Sequence, residues 1–282
     1  MGNALGSPRQ AVPVINIAPF VNEADYSDDE RKAVAAQWDQ AMTDIGFAII
    51  KGHGVAPEVI SNLRDGAMAF FSKDTESKLA FRHGEIGNPD GGWQGMGLES
   101  VSRTRDMLGS DGGANLSKAL PDLLESYNFK WDSDKPRPVE MDEPGQVYKD
   151  EMLRVLSCIN HLTALALGLP RDFFDPYYKP CAQTDFRLAY YPPVPKHAQS
   201  TSAMRFGEHT DYTGYTILHQ DETDIGELDT GGLQVKLNGE WQAVKPQKGT
   251  FIVNIGDLYG ESKHRARMDL SRSMGARVYG VA

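Results

Sequence analysis

Gly207-Glu208-His209-Thr210-Asp211-Tyr212 is the stretch on which the reading of this chain turns. In an extended strand alternate side chains share a face, so His209 and Asp211 are expected to point together into one cavity. One imidazole and one carboxylate are two parts of the 2-His-1-carboxylate arrangement, which holds Fe(II) on one side and leaves the other open. The third ligand has to be a histidine from elsewhere. Downstream only His219 and His264 remain, and His264, 55 positions beyond His209, has enough chain before it to cross a barrel and return. After Pro180 the chain reads as short strands and turns: Asp185 to Tyr191, Gly214 to His219, Gly232 to Lys236, Trp241 to Val244 and Thr250 to Ile255. Strands of that length, broken by Gly, Pro and Asp clusters, predict a β-sandwich or barrel rather than alternating βαβ units.

The half before Pro180 has a different texture. Val12 to Phe20 alternates like a short strand closed by proline. Ser27 followed by Asp28, Asp29 and Glu30 is a helix cap and an acidic first turn. The helix it starts carries Val34, Trp38 and Met42 at helical spacing and stops at Gly46. Phe47 to Ile50 reads as a buried strand and Pro57 to Ser72 as a second helix, with Ile60, Leu63, Met68 and Phe71 along its apolar face. Glu85 to Ala119 is rich in glycine and polar residues without periodicity, and is expected to form loops over a cavity. A long helix spans roughly Gly145 to Leu167 with a stripe of Met152, Val155, Ile159, Leu162 and Leu165.

Composition narrows the function. The 282 residues are 40% hydrophobic and 24% charged, ordinary for a globular chain with a sizeable core. A net charge of −10 argues against a nucleic-acid or anionic-membrane surface and favours a small-molecule partner. No run of about 18 apolar residues occurs, and the first residues lack a basic-then-apolar leader pattern, so a cytoplasmic monomer that spans no membrane is expected. Residues 1–11 are read as a disordered tail, 12–180 as a helical N-terminal region and 181–282 as the β core. Cys158 and Cys181 show neither metal spacing nor a disulfide framework.

Several segments, taken in order, carry a resemblance. They are Val12 to Asn16, Gly46-Phe47 through Gly52-His53-Gly54-Val55, Phe70-Phe71 through Lys78-Leu79, Leu188 to Pro193, His209 to Tyr212, Gly231 to Val235, Gly239-Glu240-Trp241 and Asn254-Ile255-Gly256-Asp257. Over nearly all its length the chain resembles the isopenicillin N synthase-like branch of the 2-oxoglutarate and Fe(II)-dependent oxygenases. The resemblance implies an α+β fold with a mainly β core: a double-stranded β-helix, or jelly roll, with N-terminal helices packed on it. It implies Fe(II), 2-oxoglutarate as co-substrate and dioxygen, and hydroxylation, desaturation or ring closure of a small molecule. It makes His209, Asp211 and His264 the metal ligands and the catalytic centre. Tyr191 and Arg187, on one strand face, become candidates for holding the co-substrate.

The match departs from the family in two places. Ala189 stands where asparagine is usual. Gly256 and His264 are only 8 positions apart, a shorter connection than relatives use, and the arginine-x-serine that grips the distal carboxylate of 2-oxoglutarate is absent. Either the site is rebuilt locally with His264 and an arginine, Arg272, or the shortened C-terminus is aberrant and the expected closing strand is missing. Three functional readings follow: a 2-oxoglutarate-dependent dioxygenase, an oxidase of the same fold that uses no 2-oxoglutarate, and a non-catalytic relative.

Overall fold

Pro19 explains why the first strand is shorter than its alternation predicts. In the computed structural model β1 covers only Val14–Asn16, and the chain then turns into a short helix, α1 (Ala18–Val21), with Pro19 in its first turn. There the fixed φ of proline suits a helix start and its missing N–H deprives no carbonyl. The structure describes residues 12–85, 88–98, 122–178, 184–193, 209, 211, 214–221, 233–237, 239–256 and 276–281.

Ser27 caps α2 (Asp28–Asp44) as expected, its hydroxyl accepting from the Glu30 N–H while the Glu30 carboxylate accepts from the Ser27 N–H. Then come β2 (Phe47–Lys51), α3 (Pro57–Phe71) and α4 (Thr75–Leu79), the last capped by Asp74. Where loops were predicted from Glu85 onward the chain forms β4 (Asn88–Gln94), the second strand of a hairpin whose first is β3 (Arg82–Glu85). Gly84, Gly91 and Gly92 all have positive φ and the register shifts within the pair, so there was no regular alternation to read. The rest of that predicted loop, residues 99–119, lies outside the described residues. A further unpredicted strand, β5 (Glu125–Phe129), precedes the long helix α5 (Val139–Ala166). That helix begins before Gly145 and runs through Pro144, which cannot donate to the Glu140 carbonyl. The remaining elements are α6 (Asp175–Tyr178), β6 (Thr184–Tyr190), β7 (Tyr215–His219), β8 (Gln234–Leu237), β9 (Glu240–Ala243), β10 (Phe251–Ile255) and β11 (Ala276–Val281).

Among the described residues nine strands form one sheet in the order β1-β2-β10-β7-β11-β6-β5-β4-β3, and β8 pairs with β9 in a second. Of the two alternatives for the C-terminal segment, the one with a missing closing strand does not hold. β11 runs parallel to both β6 and β7 and joins them, so no open edge forms at that place.

The large sheet has two distinct faces. Phe186, Leu188, Tyr215, Ile217, Phe251 and Val253 enter the main core with Trp38 of α2, Phe70 of α3 and Tyr148, Met152 and Ile159 of α5. On the opposite face Ile49, Leu218 and Ile252 pack with Val235, Leu237 and Val244 from the β8–β9 layer. This sheet-on-sheet core beneath a helical cover is the α+β jelly-roll arrangement.

Candidate active site

Thr216 and Asn254 are polar residues inside otherwise apolar strands. They are register partners across β7 and β10, on the face turned away from the helices. Between them they hold one carboxylate. Asp211 Oδ2 accepts from Thr216 Oγ1 at 2.6 Å and from Asn254 Nδ2 at 2.8 Å, and Oδ1 faces His209 Nε2 at 3.6 Å. The Asp211 side chain is 7% exposed and that of His209 30%, so the pair runs from the interior toward the surface. Neither residue lies in a strand; the two converge because a strand-borne hydroxyl and amide anchor the aspartate, not because a pleat aligns them.

Burial is the largest influence on the Asp211 carboxyl and by itself would raise its pKa. Hydrogen bonds from His209, Thr216 and Asn254, with the charge of His209, together outweigh it and bring the pKa down to about 2. The group is therefore an anion across the physiological range. A buried anion with one oxygen fixed by two donors and the other turned to an imidazole suits a divalent cation. Two donors at bonds of about 2.1 Å stand roughly 3 Å apart in a shared coordination shell, close to the separation seen here. Among the described residues, no group of three or more His, Cys, Asp or Glu side chains is gathered for a metal.

The other expected site residues divide. Arg187 lies on β6 in register with Asn128, on the same face as Thr216 and Asn254. Tyr191 is partly buried just past the end of β6. His264 and Arg272 lie outside the described residues. Another arginine is in the sheet: Arg277 takes the register position beside Thr216 on β7 and Asp185 on β6. The histidines expected to pack rather than bind do so where they are described. His53 accepts from the Val55 N–H and lies against Phe251, His161 faces Asp175 at 3.3 Å, and His219 turns to the helical core with its ring against Phe251. Sequence reasoning missed Thr216 and Asn254, and the signal was a polar residue flanked by apolar ones within each strand.

The comparisons with known proteins bear on the family and the fold. Residues 12–149 match the family model described as non-haem dioxygenase in morphine synthesis N-terminal, and residues 177–276 match the 2OG-Fe(II) oxygenase superfamily. The 2-oxoglutarate-Fe(II) type oxidoreductase ppzC of Metarhizium majus is 30% identical over 295 residues, covering 91% of this chain and 73% of the relative. Homoarginine-6-hydroxylase 2-ODD-233 of Oryza sativa is 29% identical over 290 residues, covering 90% and 77%. The crystal structure of a full-length Neurospora crassa protein in complex with alpha-KG and thymine superposes with a TM-score of 0.70 at 22% identity, covering 89% of this chain and 75% of that one. The chain is a member of the 2OG-Fe(II) oxygenase superfamily, built on its jelly-roll fold.

Proposed function

We propose that this 2-oxoglutarate-dependent dioxygenase oxidises a C–H bond of a small molecule, with iron held by His209, Asp211 and His264. The observation that carries the assignment is the clamped Asp211 carboxylate with Oδ1 3.6 Å from His209 Nε2. Bound iron supplies the activation of dioxygen, coupled to the oxidative decarboxylation of 2-oxoglutarate to succinate. The chain's own residues prepare for it. Asp211 stays ionised without competing protonation, and Thr216 and Asn254 fix its orientation. Arg187, Tyr191 and an arginine of the C-terminal segment, Arg272 or Arg277, are the groups for the carboxylates of the co-substrate. Homoarginine and thymine, named with two relatives, are the first substrates to assay.

The test is anaerobic Fe(II) reconstitution followed by metal analysis and titration with 2-oxoglutarate. One iron per chain is expected in the wild type and none in His209→Ala or Asp211→Ala, with the fold retained by circular dichroism. Saturable spectral change with 2-oxoglutarate, and succinate on admitting air, are also expected. Unchanged iron content in both variants would overturn the ligand assignment. Iron binding without any response to 2-oxoglutarate would favour the oxidase reading.

A further inference from the structure

Gln94 closes β4 at a place where a carboxamide has no structural task. Its side chain is buried, with the residue 1% exposed, and neither Oε1 nor Nε2 has a hydrogen-bond partner. A primary amide offers two donors and an acceptor with two lone pairs, and leaving all of them unsatisfied in the interior is unfavourable. Such a group calls for an explanation, and a molecule from outside the chain that completes it is one.

The sheet register says where that something would lie. Trp93, the residue before, turns to the helical side, where its indole N–H donates to Glu125 at 2.9 Å beside the buried ammonium of Lys78. Gln94 therefore faces the other way. It is the register partner of Ser126, which is the partner of Ala189 on β6. Tyr127, Leu188, Ile217 and Val253 all point into the helical core, so Gln94, Ser126 and Ala189 share the face that carries Thr216, Asn254 and the Asp211 carboxylate. Ser126 and Ala189 are small and buried. Four interstrand steps separate β4 from β7, roughly 19 Å around the curved sheet at about 4.8 Å each. Gln94 is thus placed to meet the end of a bound molecule remote from the reacting carbon.

We infer that Gln94 is a specificity-determining residue that recognises an uncharged substrate group carrying a donor beside an acceptor, as in an amide, lactam or imide. The inference rests on the enzyme reading above for the word substrate. The complementarity itself is that of one carboxamide for another: Oε1 accepts from the ligand N–H while Nε2 donates to its carbonyl. A site built on such a pair discriminates strongly against an analogue lacking the N–H, because a buried acceptor is then left unsatisfied.

The test uses the metal-free full chain, 15N-labelled, so its outcome does not depend on iron. The Gln94 side-chain amide signals are identified as the pair absent from Gln94→Leu. They are then followed during titration with 2-pyrrolidone, which pairs an N–H with a carbonyl, and with cyclopentanone, the same ring without the N–H. Saturable movement with 2-pyrrolidone, at least fivefold weaker binding of cyclopentanone, and at least tenfold weaker binding of 2-pyrrolidone to Gln94→Leu are expected. Fe(II) affinity of the variant should equal that of the wild type. Should Gln94→Leu fail to fold, Gln94→Met, closer in length, takes its place. Equal response to the two rings, no response to either, or an unchanged affinity in the variant overturns the inference. If iron binding fails in the wild type while the lactam response holds, the enzyme reading falls and the binding site stands.

Discussion

Asp211 is held by two strand-borne side chains that are not themselves proposed to touch iron, and this makes the clamp testable apart from the ligands. Thr216→Val and Asn254→Leu should each weaken Fe(II) binding by about 10- to 100-fold, the usual consequence of removing an outer partner of a ligating carboxylate. Equilibrium competition with a chelator measures it. Iron affinity unchanged in both variants would show that Asp211 keeps its orientation without them. That His209 and Asp211 would come together was legible, because two residue types at one spacing carry a chemical meaning wherever they fall. Their anchors were not, since Thr216 and Asn254 lie 38 positions apart and meet only through the β7–β10 register. Gln94 was hidden for a different reason: nothing about a glutamine beside Gly95 announces burial until the hairpin around it is seen.

Helices and central strands were legible, and the glycine-bearing hairpin was not, because periodicity needs side chains to be read. Elements also meet through glycine. A Cβ on Gly66 of α3 would stand 2.1 Å from the Glu140 carbonyl oxygen of α5, the carbonyl that Pro144 leaves without its helical donor. Backbone cannot swing aside as a side-chain tip can, so Gly66→Ala should destabilise the fold by about 1–3 kcal/mol, the usual range for overpacking. Urea unfolding checks it, and a change within about 0.5 kcal/mol, the ordinary scatter of neutral surface substitutions, would mean the helices part easily. The same junction carries an ion pair, Lys73 with Glu140. The hydrogen bond from Lys73 holds the Glu140 carboxyl below its ordinary 4.5. With the folded value depressed, the pair's contribution is complete above about pH 4.5 and fades as pH falls through the lower folded value. Glu140→Gln should therefore be less stable than wild type at pH 7 and converge on it in acid. A stability difference that does not change with pH would show that charge has no part in it.

At the scale of the whole molecule the main core, on the helical side of the large sheet, is one body of aromatic and aliphatic side chains running from β1 to β10. Cys158 sits within it on α5, and burial pushes its thiol pKa up. In a Cys181→Ser background its reaction with a chromogenic disulfide should be slow in the native state and rise in parallel with global unfolding in urea. Rapid labelling without denaturant would mean that α5 opens locally. The family and the jelly roll were readable at this scale because ordered short motifs survive along the whole chain, whereas the place of β11 could not be, being decided by which sheet edges lie open.

The pairing of β2 with β10 has a consequence in time. Ile50 lies beside Phe251 and Phe47 beside Asn254, so an early segment of the chain is completed by one made some 200 positions later. Contacts that distant in sequence are slow to form, since the loop between them must close before anything is gained. During synthesis β2 therefore lacks its antiparallel partner until β10 has been made, and only then can Thr216 and Asn254 come together. The clamp on Asp211, and with it the proposed iron site, therefore needs β10, and nascent polypeptides ending before Phe251 should expose an unpaired strand to chaperones or proteases.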